Sequence, residues 1–300
     1  MDSKFMNNAY VLGEIRDKDL QSLGSGENER ENARIKVNIA SQNGFVNMQM
    51  NNPKKADKNY CEKLYSKIEQ GDIIEISGSL EEFEYNDTLR RNVSPYISAK
   101  RGYGDNVKVY DNNSDKDFKA NARLAGDIIN KEEFVTDEKE TGYTFTLLYF
   151  SLYNVETGKN DLSRREVLLN SIKNFGDYAK KTGRDIDFNK LSDLKDDIEL
   201  LEDNDLTSIV NIYKEFKELF NPLLFNISEY TITAKGEQAE EMESVEVNDN
   251  ITVGVYLVNN VVIDEFGFAN GSENILEVGK FKGINESLNN GVNEIDNADW

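Results

Sequence analysis

The chain has 300 residues, enough for one large domain or two of ordinary size, and 38% of them are apolar, enough to build hydrophobic cores. It has no histidine and one cysteine, Cys61, so it lacks the usual zinc ligands, the usual catalytic triads and any internal disulfide. Its 56 Asp and Glu residues leave carboxylate sites for magnesium as an alternative, but no metal or cofactor is implied and we expect no enzymatic activity. The net charge of −21, taken over the whole chain, argues against binding to nucleic acid.

The first third of the chain predicts five strands and one helix. Apolar and polar residues alternate in the second and third strand segments, and a turn signal joins these two segments into a hairpin. The helix is amphipathic and ends just before a glycine. The segments in order are strand 8–15, strand 33–40, strand 45–50, helix 59–70, strand 72–85 and strand 93–103. This order is that of the OB fold, a five-stranded barrel that binds oligonucleotides through its second and third strands.

A second, diverged copy of this plan is predicted downstream. Residues 8–20 and 121–134 share Asn-Ala, a glycine, an acid and an isoleucine at matching offsets. Four further strand-like segments complete the copy: 143–153, 226–236, 250–260 and 274–284. We therefore expect a mainly β protein with two OB-type barrels. The modules we expect are a nucleic-acid-binding module 1–110, a second OB-like module 117–283 and an acidic tail 284–300.

A helical insertion, about residues 159–222, is predicted between the second and third strands of the second copy. Ser163 and Glu166 form a capping box that begins a helix. The segment 206–220 carries an apolar stripe at helical spacing, and Pro222 ends it. We expect the stripe to pack onto the barrel or onto another helix of the insertion, and a partner site is the alternative.

One face of the predicted hairpin in the first module is a candidate binding surface. If the apolar residues of both strands point inward, the residues between them point outward together. That outward set combines cations, amides and one aromatic: Arg34, Lys36, Asn38, Phe45, Asn47 and Gln49. An ordinary solvated strand face is the alternative, but an exposed Phe45 gains nothing from solvent, which favours binding.

A second candidate cluster interleaves aromatic and cationic residues across the last two strands of the first module. Its members are Phe83, Tyr85, Arg90, Arg91, Tyr96, Lys100, Arg101 and Tyr103. Three acids lie within the same segment, Glu81, Glu82 and Glu84, and carboxylates repel phosphate. Either these acids point away from a bound strand, or this arm does not contact phosphates.

The stretch 67–97 carries a more specific pattern of a helix, a glycine, an alternating strand with an internal glycine, and an aromatic before a hairpin. The matching residues are Gly71, Ile74, Ile76, Gly78, Leu80 and Tyr85. With strand 8–15, this stretch resembles bacterial and bacteriophage single-stranded DNA-binding proteins over about residues 8–103. The resemblance implies that Tyr85 stacks on a base. The acids at 81, 82 and 84 and the second module depart from that family, so its tetramer is not carried over.

The charge is uneven along the chain. Residues 1–110 contain 16 basic and 17 acidic residues, a net charge of −1, which leaves −20 of the total for residues 111–300. Near the end, no Lys or Arg follows Lys282, and the single tryptophan is the last residue. Proteins of the resembled family end in an acidic tail with an aromatic or apolar tip that docks on replication and repair partners. The resemblance implies this role for Glu294, Ile295, Asp296, Asp299 and Trp300. A frayed terminus, or Trp300 folded back on the barrel, is the alternative.

Together these patterns predict a non-enzymatic single-stranded DNA-binding protein. We expect it to coat single strands during DNA replication, recombination and repair and to recruit partners through its tail. No apolar run approaches the roughly 18 residues of a membrane span, and the first residues lack a secretion signal. We expect a cytoplasmic protein, in the host cytoplasm if its source is a bacteriophage. The alternatives are an OB-fold structural or interaction protein of a virion, and an acidic DNA mimic.

Overall fold

The computed structural model describes residues 5–22, 33–41, 44–52, 59–85, 88–97, 101–111, 117–137, 139–154, 156–222, 224, 226–259 and 274–278. The strands in these ranges are β1 (Met6–Ser22), β2 (Ala33–Ser41), β3 (Gly44–Asn51), β4 (Ile73–Tyr85), β5 (Thr88–Pro95), β6 (Val107–Tyr110), β7 (Lys119–Val135), β8 (Thr141–Phe150), β9 (Tyr153–Asn154), β10 (Lys159–Asn160), β11 (Ile227–Ala234), β12 (Asn250–Asn259) and β13 (Asn274–Val278). The helices are α1 (Tyr60–Lys67), α2 (Arg164–Thr182), α3 (Phe188–Leu200), α4 (Leu206–Phe220) and α5 (Glu237–Met242). No helix of this part of the chain is long and apolar enough to cross a membrane.

The first five strands close into a barrel. Strand β1 pairs with β2 and β4, β2 pairs with β3, and β4 pairs with β5, all antiparallel. A parallel pairing of β3 with β5 closes the ring. Helix α1 follows β3 in the chain and is capped by Asn59, whose side chain accepts a hydrogen bond from the backbone N–H of Glu62. This arrangement confirms the OB-type barrel that the order of elements predicted.

Two predicted bounds in this barrel are wrong. The fifth strand covers Thr88–Pro95 and not 93–103, because residues 88–92, interpreted as a turn, pair with β4. The first strand extends from Met6 to Ser22, well beyond the apolar run 8–15, because it pairs in turn with β7, β4 and β2. Its polar second half belongs to the sheet through backbone pairing and carries no apolar signal.

The second barrel repeats this topology. Strand β7 pairs with β8 and β12, β8 with β11, and β12 with β13, and a parallel pairing of β11 with β13 closes the ring. Helices α2, α3 and α4 lie between β8 and β11, and α5 follows β11 as α1 follows β3. The expected pair of OB-type barrels, the second with a helical insertion, is therefore confirmed. The predicted boundaries at 110, 117 and 283 stay predictions, and residues 284–300 lie outside the described ranges.

The two barrels share detailed geometry at a constant offset of 113 residues. Gly13 and Gly126 each lie where a Cβ atom would approach a backbone carbonyl oxygen of the second strand within 2.2 and 2.4 Å. The ladder shifts register between Ile15 and Asp17 in β1, and at the equivalent point of β7. The shared glycine in the sequence therefore has a steric cause, since only glycine fits where these two backbones meet.

A lysine occupies equivalent positions in both barrels. The Lys18 ammonium donates to two carbonyl oxygens at the C-terminal end of α1, at 2.8 and 2.5 Å. The Lys131 ammonium donates to three carbonyl oxygens at and just beyond the end of α5, at 3.2, 2.7 and 2.9 Å. Each cation satisfies carbonyl groups that a helix end leaves without partners and complements the negative end of the helix dipole.

Strand β1 also pairs antiparallel with β7, which joins the barrels into one continuous sheet. Ala9 pairs with Ala122, its own equivalent at the offset of 113. On either side of this pair, Met6 opposes Ala125 and Leu12 opposes Lys119, which are mutually equivalent pairings. The barrels are thus related by a pseudo-twofold axis through the two alanines, as subunits are related across an isologous dimer interface.

The helical insertion packs against the second barrel. Helix α2 begins with the predicted capping box of Ser163 and Glu166. The apolar stripe of α4 is buried in a core shared with α2, α3, β8 and β11, which confirms packing within the chain. Leu219 is the exception in the predicted stripe, since 41% of its surface is exposed.

Candidate nucleic-acid interface

The outward-facing residues of β2 and β3 form one surface, called here the β2–β3 face. The alternating apolar residues Ile35, Val37, Ile39, Val46, Met48 and Met50 are at most 1% exposed and fill the barrel. The residues between them are half-buried or exposed, so the six predicted outward residues share one face. Across the ladder the outward pairs are Arg34–Asn51, Lys36–Gln49, Asn38–Asn47 and Ala40–Phe45.

Hydrogen bonds between side chains order this face. Arg34 Nε donates to Asn51 Oδ1 at 2.8 Å, and Asn38 Nδ2 donates to Asn47 Oδ1 at 2.9 Å. Lys36 lies between these pairs and is exposed. The arrangement presents cations and amide groups at neighbouring positions. These groups can donate hydrogen bonds to phosphate oxygens and to base edges.

Charge sets the limits of the β2–β3 face. Neither β2 nor β3 contains Asp or Glu. The neighbouring strand β1 places Asp17 opposite Asn38 and Asp19 opposite Lys36, so carboxylates border the face on that side. On a chain of net charge −21, the two strands are a local surface without negative side chains.

The face continues onto β5 on its other side. Asn92 Nδ2 donates to Gln49 Oε1 at 3.4 Å, and the Ser94 hydroxyl donates to the backbone oxygen of Gln49 at 3.2 Å. Asn51, Asn92 and Ser94 were not among the predicted site residues. Extending the alternation by one residue would have found Asn51, but the parallel pairing of β3 with β5 joins segments 45 residues apart and leaves no local signal.

The second predicted cluster does not form one surface, because Arg91 is buried. Its guanidinium pairs with Glu82 at 2.7 Å, and both side chains are at most 5% exposed. Arg91 Nη2 donates to the backbone oxygen of Thr231 at 3.2 Å, and Glu82 Oε1 accepts the backbone N–H of Thr231 at 2.9 Å. The pair thus joins the β4–β5 hairpin to β11 of the second barrel. Glu82 points away from the β2–β3 face, whereas Glu81 is exposed.

Two tyrosines of the same cluster take part in packing. The Tyr96 hydroxyl lies 2.7 Å from the backbone oxygen of Asn7 and 2.9 Å from Asn8 Oδ1, and burial raises the pKa of Tyr96 well above its usual value. Tyr103 packs edge-on against Tyr60, with ring centroids 6.2 Å apart, and burial raises its pKa as well. Both rings contribute to the first barrel's structure.

The remaining predicted residues lie at the end of the β4–β5 hairpin or outside the described ranges. In the backbone register Phe83 opposes Arg90, and Tyr85 opposes Thr88. Arg101 is exposed, in a turn after β5. The residues outside the described ranges are Lys100, Glu294, Ile295, Asp296, Asp299 and Trp300.

Comparison with known proteins gives a likeness of fold. No protein-family model and no curated protein matches the chain. A deletion mutant of the single-stranded DNA binding protein from Thermus aquaticus superposes with a TM-score of 0.50 at 10% identity, over 93% of this chain and 94% of that chain. The wild-type Thermus aquaticus protein gives 0.47 at 10% identity over 93% and 92%. A replication protein A heterotrimer bound to ssDNA gives 0.26 at 8% identity over 98% and 54%. The chain therefore has the fold of the Thermus aquaticus single-stranded DNA binding protein, as the sequence resemblance implied.

Proposed function

We propose that this protein binds single-stranded DNA through the β2–β3 face. The observation that carries the proposal is the composition of that face, which holds two cations, several amides and one aromatic, and no carboxylate, on a chain of net charge −21. Single strands are held by cations that follow the phosphates and by aromatic rings on which bases stack. The fold supports the same surface, since OB barrels bind oligonucleotides through their second and third strands.

The overall negative charge is compatible with this proposal because exposed charges are screened over short distances. At physiological ionic strength the Debye length is about 8 Å, so acids elsewhere on the molecule act weakly on a strand at this face. Three carboxylates of β1, those of Glu14, Asp17 and Asp19, lie at positions paired with β2, whereas β3, on the other side of β2, contains none. They would direct the phosphates towards β3 and β5 and away from β1.

Fluorescence titration with an oligo-dT strand at two salt concentrations tests the proposal. We expect binding whose affinity falls as salt rises, with a slope of about −0.7 for each phosphate contact that a cation makes. Absence of binding at low salt would refute the proposal. That result would favour an acidic DNA mimic, whose partner surface would lie among the 39 acidic residues after residue 110.

Replacing Phe45 with alanine is expected to weaken oligo-dT binding by about 1–3 kcal/mol, because a base loses the ring on which it stacks. Phe45 is half-buried and pairs with Ala40 at the end of the hairpin, so its ring is attached to a fixed backbone. The matched control is Tyr153→Ala, which removes an exposed aromatic from β9 and should leave the affinity unchanged. An unchanged affinity for Phe45→Ala would remove this residue from the site.

We further propose that the protein coats single strands during replication, recombination and repair, in the cytoplasm, and that residues 284–300 recruit proteins of these processes. Acidic residues and the single tryptophan of this segment support electrostatic steering with an aromatic anchor. Deleting residues 295–300 should leave DNA affinity equal or slightly higher, because it removes like charge, and should abolish partner binding in a pull-down with purified replication proteins. A clear loss of DNA affinity on deletion would contradict this role.

A further inference from the structure

The second barrel contains a surface equivalent to the β2–β3 face, called here the β8–β11 face. The two first strands are equivalent at the offset of 113, and Ile15 opposes Ile39 as Ile128 opposes Leu147. Following both ladders outward from these pairs gives the positions of the second face. Lys36 corresponds to Thr144, Asn38 to Thr146, Ala40 to Leu148, Phe45 to Glu229, Asn47 to Thr231 and Gln49 to Thr233.

Helices of the insertion cover one half of the β8–β11 face. Leu148 and Phe150 point outward from β8, and Ile227 opposes Phe150 on β11. These three side chains are at most 2% exposed and belong to the core that contains the buried faces of α2, α3 and α4. In the first barrel the outward residue equivalent to Leu148 is Ala40. Ala40 is half-buried and does not belong to the hydrophobic core that the helices form.

Helix α4 occupies the position that corresponds to Phe45. Glu229 stands there, and its carboxylate accepts a hydrogen bond from the Tyr213 hydroxyl at 3.0 Å and pairs with the Lys217 ammonium. Lys214, on the same helix, donates to the backbone oxygen of Ile129 at 3.0 Å. Burial, with the Glu229 charge beside it, raises the pKa of Tyr213, so the phenol keeps its proton and remains a donor. The ring of Tyr213 therefore lies next to the position that corresponds to Phe45 in the first barrel.

The open half of the β8–β11 face lacks the groups that hold phosphate. Its outward residues are half-buried threonines: Thr144, Thr146, Thr231 and Thr233. Strands β8 and β11 contain no Lys or Arg, whereas the equivalent strands of the first barrel supply Arg34 and Lys36. Threonine hydroxyls can donate to a phosphate oxygen, but they release no counterions and add little to affinity.

We infer that each chain binds a single strand at one site, the β2–β3 face, because α4 permanently covers one half of the β8–β11 face and the strands of its open half supply no cation. This inference rests on the proposed function. Displacing α4 would expose the buried side chains of Phe150, Ile227 and Tyr213 to water and break the contacts of Glu229, so a strand cannot compete for the second face. The second barrel then serves to carry the insertion and to fix the β4–β5 hairpin.

Stoichiometry in the full-length protein tests the inference without any variant. An oligo-dT of about eight nucleotides matches the site size of one OB barrel, about 4–16 nucleotides. Isothermal titration calorimetry or fluorescence titration at saturating concentration should give one strand for each chain. Two strands for each chain would overturn the inference and leave the proposed function intact. No binding at all would overturn both.

A pair of register-matched variants locates the site. Lys36→Glu should weaken binding about tenfold and make the salt dependence less steep by about 0.7, because a phosphate contact is lost and a repulsive charge is added. Thr144→Glu places the same carboxylate at the equivalent position of the second barrel and should change affinity less than about twofold, with unchanged salt dependence. Thermal melting by circular dichroism shows that both variants are folded. A loss of affinity for Thr144→Glu as large as that for Lys36→Glu would overturn the inference.

Discussion

Replacing Arg91 with methionine is expected to lower the free energy of unfolding by about 3–5 kcal/mol, because the Glu82 carboxylate is left buried without its partner. The two side chains are 5% and 4% exposed, so water cannot replace the lost ion pair. The carbonyl oxygen of Thr231 also loses its donor, since Arg91 Nη2 reaches it at 3.2 Å. Equilibrium urea unfolding measures the difference.

The control for this experiment is Arg165→Met. Arg165 pairs with Asp203 at 2.7 Å, the same distance as in the buried pair, but the two side chains are 28% and 58% exposed. An exposed pair contributes less than about 1 kcal/mol, so the same chemical change should cost little here. Equal losses of unfolding free energy in the two variants would show that the contribution of the Glu82–Arg91 pair to stability does not depend on its burial.

A double variant separates the ion pair from its backbone contacts. Glu82→Gln keeps an oxygen that can accept the Thr231 N–H, but it leaves the Arg91 charge buried without a carboxylate. The double variant Glu82→Gln, Arg91→Met buries no unpaired charge, so its loss of stability should be smaller than the sum of the two single losses by about 1–3 kcal/mol. Additive losses would mean that the two groups act independently.

The barrels could be predicted from the sequence because their signal is local. Alternation in β2 and β3 placed each inward residue correctly, since successive side chains of a strand point to opposite faces. The shared pattern of residues 8–20 and 121–134 predicted the second barrel because both copies need a glycine where two backbones meet. The short helix α5, with the sequence EQAEEM, carries no comparable apolar pattern, and only its place after β11 identifies it as the equivalent of α1.

The fate of the arginines and acids in the β4–β5 hairpin could not be predicted, because it depends on contacts between distant segments. Arg91 and Thr231 are 140 residues apart in the chain, and no periodicity within the hairpin distinguishes Arg91 from Arg90. A mixed run of acids, cations and aromatics is compatible with a binding arm and with a contact between barrels. The covering of the β8–β11 face could not be predicted either, because it also depends on contacts between distant segments. The apolar stripe of α4 indicates that the helix packs against another surface but does not indicate which one.

Asp127 and Glu14 occupy equivalent positions in the two barrels, but we expect a large loss of stability only when Asp127 is replaced. In the first barrel, Glu14 pairs with Arg16 at 3.1 Å at the surface, where 29% and 48% of the two side chains are exposed. In the second, Asp127 is fully buried and accepts two hydrogen bonds from Arg164 at 2.6 and 2.8 Å, and a third from Asn250 at 2.9 Å. Arg164 is the first residue of α2, so the buried acid attaches the insertion to β7 and β12.

Asp127→Asn should therefore lower the free energy of unfolding by about 3–5 kcal/mol, because Arg164 keeps a charge that is largely buried and loses its bidentate partner. Glu14→Gln, the same change at the equivalent position, should cost less than about 1 kcal/mol. Urea unfolding of both variants compares them, and similar losses would contradict the assignment of a structural role to Asp127. If the insertion detaches in Asp127→Asn, the β8–β11 face is uncovered, yet it still lacks cations, so the number of strands bound by each chain should remain one.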